Sequence, residues 1–378
     1  MQYRSLGSRI EEEVSALGFG CMRLPTLGSP EKIDTVLAKR LLLSTIDEGL
    51  NYVDTAYPYH GGASEVFVGE ALEGAYRKKV LLATKLPVWS AAAPEDFDRI
   101  LEEQLKRLKT EHVDVYLLHG LDQERWDRVR SLGVQEWMLR KRSEGKIRYI
   151  GFSFHGPLRE FTSIVDGWDA WDVCLVQYNF MNVTHQAGTS GVRYAAARGI
   201  GVAVMEPLLG GALANPPESV KRIWLEAAAD RTAAEWALRW LWNQEEVGTV
   251  LSGMNCLRDV EENLLFAERN TIRSITASER LLYERVRRKY DETRSIPCTA
   301  CEYCLPCPNG IDIPGNFSIY NTALFQKQLW IGQADYRRKK LAERAGACLE
   351  CGECTLKCPQ TIPIPDRLKE VHRALSET

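Results

Sequence analysis

NYVDTAYPYH, from Asn51 to His60, opens as a short β-like run and then crowds Asp54, Tyr57, Tyr59 and His60 into one loop. A carboxylate at a strand end followed by phenols on a loop is more than packing requires. The same residues admit a structural role, because aromatics near Pro58 can plug the end of a barrel and an Asp commonly caps the next helix. The neighbouring chain decides between the two.

Outward from this stretch, residues up to about 270 alternate between short β-branched runs and longer segments of helical period. The strands are expected at Val14–Gly20, Asn51–Asp54, Val80–Lys85 and Val113–His119, then at Ile147–Ser153, Val173–Gln177, Ile200–Met205 and Val247–Gly253. Helical segments include Ile33–Gly49, Pro94–Lys109, Trp137–Gly145 and Ser219–Asn243. In Pro94–Lys109 the side chains of Phe97, Ile100, Leu101, Leu105 and Leu108 recur at helical spacing. Several helices are expected to stop at Gly, as at Gly49, Gly145 and Gly199. Strand–helix alternation implies parallel pairing, and eight repeats close a (β/α)₈ TIM barrel, an α/β fold. An open doubly wound sheet is the competing architecture. It lacks support because GFGCMRLP, after Leu17, is not the G-x-G-x-x-G fingerprint.

At 378 residues the chain accommodates a barrel of about 250 residues plus a small appendage. The pattern changes near residues 270 to 295, where Ser278–Asp291 reads as a charged helix. Domains are therefore expected at 1–275 and 276–378, the second a helical linker and a small, mainly α-helical metal-binding part. An apolar fraction of 45% and a net charge of −3 give no electrostatic case for nucleic acid or an anionic membrane surface. MQYRSLGSRIEEEVS has no apolar signal core and no run approaches 18 apolar residues, so a cytoplasmic protein is expected.

In such a barrel, polar residues at the C-terminal ends of strands are the catalytic candidates. Those ends supply Asp54, Lys85 and His119, with Tyr59 a few residues beyond Asp54. One His or Lys at a strand end is usually structural, but four titratable groups on successive strands converge on one spot. The set fits hydride transfer to a carbonyl, whose developing alkoxide needs a proton. A tyrosine, with an unperturbed pKa of about 10, is a poor acid near neutrality unless a cation lowers it. Lys85 can supply that charge, Asp54 can pair with Lys85, and His119 can orient the substrate oxygen.

These residues resemble the aldo-keto reductases over most of 1–270. DTAYPY is similar to the family's D-T-A-x-x-Y segment, ATK to its lysine strand and DVYLLH to its histidine strand. The resemblance implies a catalytic tetrad of Asp54, Tyr59, Lys85 and His119, an NAD(H) or NADP(H) cofactor, and a small carbonyl or alcohol substrate. It also implies a cofactor face. Gly20, Cys21 and Met22 lie near the cofactor loop. Ser153 and Gln177 take the positions that touch the carboxamide, with Asn179 nearby and Phe154 where the family usually has Asn. Met205 stands where an aromatic ring usually stacks on the nicotinamide, followed by Glu206, Pro207 and Leu208. Gly210 and Gly211 resemble the loop over the pyrophosphate. Glu262 and Asn263 match adenosine-side residues, with Gly253, Asn255 and Asp259 in the same segment. A carboxylate at Asp259 repels a 2′-phosphate and accepts from a ribose hydroxyl, which leans the reading to NADH, although Arg258 is adjacent.

Of eleven cysteines, Cys21, Cys174 and Cys256 are scattered, and Cys174 and Cys256 read as small core residues. The other eight form Cys298-x₂-Cys301-x₂-Cys304-x₂-Cys307-Pro308 and Cys348-x₂-Cys351-x₂-Cys354-x₃-Cys358-Pro359. Clustered thiols in a cytosolic chain point to metal. Triplets closed by Cys-Pro follow the bacterial ferredoxin pattern and imply two [4Fe-4S] clusters with exchanged fourth ligands. Cys298, Cys301, Cys304 and Cys358 would hold one, and Cys348, Cys351, Cys354 and Cys307 the other. The first run departs from the pattern in having x₂ before its last Cys. Two Cys₄ zinc sites are the alternative, although zinc ribbons usually present separated C-x₂-C pairs. NFSIYNTALFQKQLW and QADYRRKKLAER, between the runs, read as helical and resemble the α-helical ferredoxin module.

A nicotinamide moves two electrons as hydride whereas a cubane passes one, and no flavin motif bridges them. Two functions follow. One is a carbonyl reductase or alcohol dehydrogenase whose clusters are structural, redox-sensing or a docking device. The other is an electron-transfer module exchanging electrons with a ferredoxin-like partner. A non-enzymatic barrel subunit is disfavoured by the intact tetrad. Specificity belongs to the mouth loops, where Tyr57, Trp89 and Phe180 bring no decisive charge.

Overall fold

The computed structural model describes residues 1–227, 230–292, 296–326 and 329–376, with side chains at 325 and 326 left aside. Among the described residues, β3 (Leu17–Gly20), β4 (Tyr52–Asp54), β5 (Leu81–Leu86), β6 (Val113–Leu121), β7 (Ile147–Phe154), β8 (Val173–Gln177), β9 (Gly201–Met205) and β10 (Val247–Ser252) close a barrel. Every neighbouring pair is parallel, and β10 closes on β3. Strands covered on both faces carry near-continuous apolar runs, and every residue of β5 and β6 is accordingly buried. The expected barrel is the observed one. Helices return the chain between strands, as in Thr35–Asp47, Glu95–Arg107 and Val134–Ser143. Left-handed glycines at Gly49 (φ 93°) and Gly199 (φ 74°) follow two of them, where a Cβ would be strained.

Two elements differ from the sequence reading. The run Val14–Gly20 is divided: Glu13–Ser15 (β2) pairs antiparallel with Tyr3–Ser5 (β1), and only Leu17–Gly20 enters the barrel. The hairpin delivers Leu6, Ile10 and Val14 to a cluster with Tyr52, Leu81, Val115, Leu117, Val173 and Leu175. Burying these side chains in the barrel interior outweighs extending one strand. The segment Ser219–Asn243 is likewise two helices, Glu218–Trp224 and Ala233–Trp242. The second starts beside Thr232, whose hydroxyl accepts from the Glu235 N–H at 3.1 Å. Residues 228–229 of that segment lie outside the described residues.

The chain divides into two compact units, 1–207 with 238–274, and 208–237 with 275–378. All barrel strands belong to the first. In the second, Ala277–Asp291 begins with a capping box between Thr276 and Glu279. Tyr283 donates to the Trp236 carbonyl at 2.7 Å, and Trp236 stacks on Trp224 with centroids 5.0 Å apart. Helices Ile313–Gln326, Leu329–Arg338 and Ile364–Ser376 enclose a core of Ile311, Ile313, Phe317, Tyr336, Ile362, Ile364, Leu368 and Val371. The cysteine runs are threaded along this core. Residues 327–328, within the first stretch expected to be helical, lie outside the described residues. No helix among the described residues is long and apolar enough to cross a membrane.

Candidate active site

Asp54 ends β4 and Lys85 is the penultimate residue of β5, so the two side chains enter the barrel from adjacent strands. Lys85 is 1% exposed, and Asp54 and His119 are also buried. The Lys85 Nζ donates to Asp54 Oδ1 at 2.7 Å, to the Thr55 carbonyl at 2.7 Å and to the Tyr59 hydroxyl at 3.3 Å. Tyr59 opens the turn Tyr59–Gly62, in which His60 (φ 54°) and Gly61 (φ 62°) are left-handed. His119, on β6, meets the Tyr59 ring edge-on at 6.1 Å and lies 5.0 Å from the Trp89 ring. The structure therefore brings Asp54, Tyr59, Lys85 and His119 together.

Burial pushes the Asp54 carboxyl up, and the Lys85 ammonium pulls it the other way. Burial, with Lys85, His155 and Arg125 nearby, holds the His119 imidazole well below the usual histidine range. His155, the residue after β7, is held at about 4 by burial, with Arg125 adding to it. Both rings are thus neutral near pH 7. The sign follows: with the folded pKa depressed, the unfolded chain binds protons first as pH falls below about 6.5, so their stabilisation is lost on acidification. NMR titration should show neither resonance moving between pH 6 and 8, with His119→Asn and His155→Asn used for assignment. A His119 midpoint near 6.5 would contradict the buried neutral ring.

Behind the lysine lies a network absent from the sequence reading. Gln104 donates to the Lys85 carbonyl at 3.0 Å and to Glu65 Oε1 at 2.7 Å, and accepts from the Tyr116 hydroxyl at 2.6 Å. Thr84 and Arg107 complete the shell around Glu65, at 2.7 and 3.3 Å. One signal could have found it, since Gln104 interrupts the apolar stripe of Phe97, Ile100, Leu101 and Leu108. Tyr57 is tied to the same helix: its hydroxyl donates to Glu103 at 3.0 Å and Arg107 covers its ring at 4.2 Å.

The expected cofactor residues surround the same mouth in part. Gly20 ends β3, Cys21 is buried, and Met22 follows in the turn Cys21–Arg23. Ser153 Oγ accepts from the Gly120 N–H at 2.7 Å, while Gln177 ends β8 and accepts from Gln186 at 3.5 Å. Phe154 packs on Phe161, 5.2 Å away, so it belongs to the layer outside the barrel. Met205 ends β9 against the interior cluster. Glu206, left-handed at φ 54° and followed by Pro207, accepts from Arg23 at 3.2 Å through its side chain. Its carbonyl accepts from Asn179 at 3.0 Å. A Cβ on Gly253 would meet the Arg23 side chain at 3.0 Å. Asp259 accepts from the Asn255 N–H at 3.4 Å, Glu262 from Arg258 at 2.8 Å, and Asn263 donates to Ser252 at 2.9 Å. Leu208 and Gly210 fall in the second unit, where Gly210 (φ 64°) approaches the Thr299 carbonyl so closely that a Cβ would lie 2.6 Å from it.

In the second unit, Cys298, Cys301, Cys304 and Cys358 line one cavity with Ile313, Phe317, Ile362 and Ile364. Burial, then the facing thiols of Cys301, Cys298 and Cys358, pushes Cys304 up to about 12. Burial and the neighbouring Cys348 and Cys307 raise Cys354 in the same way, while Cys351 lies exposed in that run. Left-handed Ala300, Glu302, Glu350 and Gly352 alternate with the cysteines, and the Ala300 N–H points at Cys298 Sγ, 3.4 Å away. Four facing thiols, a largely apolar wall that Thr299, Glu302 and Gln360 complete, and the Ala300 N–H aimed at Cys298 fit an iron–sulfur core, whose irons would offset the charge of crowded thiolates. Among the described residues, no three His, Cys, Asp or Glu side chains gather as a single-ion site would need.

Comparison with known proteins places these observations. The model of the aldo/keto reductase family matches residues 16–274, and that of a 4Fe-4S dicluster domain matches residues 297–362. A probable aldo-keto reductase from Glycine max is 27% identical over 287 residues, covering 67% of this chain and 80% of that protein. L-galactose dehydrogenase from Arabidopsis thaliana is 27% identical over 289 residues, covering 70% and 87%. The holo form of an aldo-keto reductase from Bacillus halodurans is 26% identical, covers 76% of this chain and 96% of its own, and superposes with a TM-score of 0.61.

Proposed function

This chain belongs to the aldo/keto reductase family and carries a 4Fe-4S domain match, and from that premise we propose an NAD(P)-dependent oxidoreductase acting on a small carbonyl or alcohol. The observation that carries the reading is the threefold hold on Lys85, whose ammonium is fixed by Asp54 and the Thr55 carbonyl and directed at the Tyr59 hydroxyl. A bound nicotinamide supplies or accepts the hydride. The chain's own groups manage the proton. Tyr59 delivers it to the oxygen of the developing alkoxide, and Lys85 stabilises the phenolate left behind. Asp54 pairs with Lys85 and aims it. Neutral His119 donates a hydrogen bond to the same substrate oxygen.

Ser153, Gln177 and Met205 would hold the nicotinamide, with Gly20, Cys21, Met22 and Pro207 beside it. Gly253, Asn255, Asp259, Glu262 and Asn263 would hold the adenosine side. Preference for NADH is supported by Arg258, which is engaged by Glu262, and by the carboxylate of Asp259. Two [4Fe-4S] clusters would take Cys298, Cys301, Cys304 and Cys358 in one set and Cys307, Cys348, Cys351 and Cys354 in the other. The test is isotopic. With nicotinamide deuterated at C4, the alcohol formed from a panel of aldehydes and ketones should carry deuterium at the former carbonyl carbon, more readily with NADH than with NADPH. Absence of transfer from either cofactor to every carbonyl tried would sink the assignment.

A further inference from the structure

The loops at the barrel mouth carry no decisive charge, but the helix Gln123–Ser131 that follows β6 brings one. Arg125 Nη1 donates at 2.6 Å to the carbonyl of Gly120, the residue after His119. Gly120 is left-handed (φ 63°), and a Cβ there would lie 3.4 Å from Arg125 Nη1 and 3.8 Å from the Trp89 ring. The Arg125 guanidinium is 5.9 Å from the centre of that ring, which in turn is 5.0 Å from the His119 ring. A cation thus stands close to the histidine assigned to the substrate oxygen, with half-exposed Trp89 against both.

His155 joins the group from the end of β7. Ser153 faces the Gly120 N–H and Phe154 packs outside the barrel, so the alternation of side chains turns His155 back towards the mouth. Its Nδ1 is buried and has no hydrogen-bond partner among the described residues. A buried polar atom in that state costs free energy, which a ligand can recover. The local field is positive. Lys85 and Arg125 act on the His119 ring, Arg125 acts on His155, and no carboxylate among the described residues acts on either. Of the acids on this turn, Asp122 caps the helix by accepting from the Arg125 N–H at 2.8 Å and meets the guanidinium at Nε, 3.4 Å away. Glu160 accepts from the Gln123 N–H at 3.1 Å, and Glu124 is exposed. The Arg125 Nη2 keeps no partner among the described residues.

We propose that Arg125 and His155 form a carboxylate subsite, so that the substrate is an oxo acid. Its carbonyl oxygen meets Tyr59 and His119, and its carboxylate, a few carbons away, takes the open edge of Arg125 and the Nδ1–H of His155. The assignment rests on the carbonyl reductase reading of the same mouth. A guanidinium edge and an imidazole N–H are donors, as a carboxylate requires, and arginine matches the planar carboxylate in shape as well as charge. Trp89 gives the intervening carbon chain an apolar wall. Hydride reaches the carbonyl carbon from the nicotinamide and the proton comes from Tyr59, so the carboxylate passes through the reaction unchanged.

The experiment measures kcat/KM on the full chain, with NADH and with NADPH, for succinic and adipic semialdehyde, each beside its methyl ester. The wild type should prefer the acids. Arg125→Gln should cut the acid-to-ester ratio about 10- to 100-fold, the worth of hydrogen bonds to a charged group, and mostly through KM. Arg125→Lys should restore part of the preference. Arg128→Gln is the structural control, because Arg128 holds the Ala91 carbonyl at 2.6 Å and the Val88 carbonyl on either side of Trp89. That variant loosens the same loop and should keep the wild-type ratio. His155→Leu removes the second donor from a different element and should lower the ratio too, which tests the subsite even where Arg125→Gln does not fold. Equal use of acids and esters by the wild type, a wild-type ratio in Arg125→Gln and His155→Leu, or the same fall in Arg128→Gln would each overturn the subsite and leave the reductase reading standing. No reduction of any acid, ester or simple aldehyde with either cofactor would overturn that reading and the subsite with it.

Discussion

Tyr59→Phe should lower the turnover of NAD(P)H-dependent carbonyl reduction by roughly 10²- to 10⁴-fold, the usual contribution of a positioned general acid. That range corresponds to about 3 to 5 kcal/mol of transition-state stabilisation. The substitution removes one oxygen and leaves the ring that meets His119 edge-on. Lys85 keeps its bonds to Asp54 and to the Thr55 carbonyl, both at 2.7 Å, so its buried charge stays paired. The fold and the dissociation constant for the nicotinamide should therefore be nearly unchanged, and the loss should appear in kcat. Steady-state kinetics and fluorescence titration with NADH separate the two. Wild-type turnover in the variant would remove Tyr59 from the acid–base role and return the loop to structural packing. Lys85→Met is a harsher change, because it strands Asp54 in a buried setting. A destabilised Lys85→Met beside a stable, inactive Tyr59→Phe would distinguish a charge needed for folding from a proton needed for chemistry.

Much of this arrangement was legible because parallel strands covered on both faces leave a distinctive mark. Runs such as Leu81–Leu86 and Val113–Leu121 are largely apolar, and among their few charged or titratable side chains Lys85 and His119 sit towards the carboxyl ends. Tyr59 was harder to place. It lies beyond the strand end in a turn with left-handed backbone at His60, which no pattern of side chains announces. The division at Ala16 was hidden for another reason: a continuous apolar run does not reveal where pairing changes from the β1 hairpin to the barrel. The Glu65–Gln104 shell was hidden because its members are spread over two helices and two strands, and only three-dimensional closure makes them one network. The cysteine runs were the reverse case. Their likeness to the bacterial ferredoxin pattern implied a crossed set, and Cys358 lines one cavity with Cys298, Cys301 and Cys304.

That crossing leads to a sharper expected result. Protein purified without oxygen should be brown and contain about eight irons, as two [4Fe-4S] clusters require. Cys304→Ala should halve the iron, and Cys358→Ala, fifty-four residues away, should produce the same spectrum and the same iron count. Cys307→Ala and Cys354→Ala should form the other matching pair. If each run instead held its own cluster, Cys358→Ala would resemble Cys354→Ala, and the crossed assignment would fail. The loss should not stop at the chromophore. Cys298, Cys304, Cys307, Cys348 and Cys358 pack against the core of the second unit, beside Ile313, Phe317 and Leu368. Metal–thiolate bonds formed only in the folded chain add their free energy to folding, so a missing cluster should open this core to protease well below the melting temperature of the barrel. The barrel strands all lie in the other unit. Carbonyl reduction that persists in Cys304→Ala at the wild-type rate would make the clusters dispensable for hydride transfer, whereas activity lost with the iron would tie the two chemistries together.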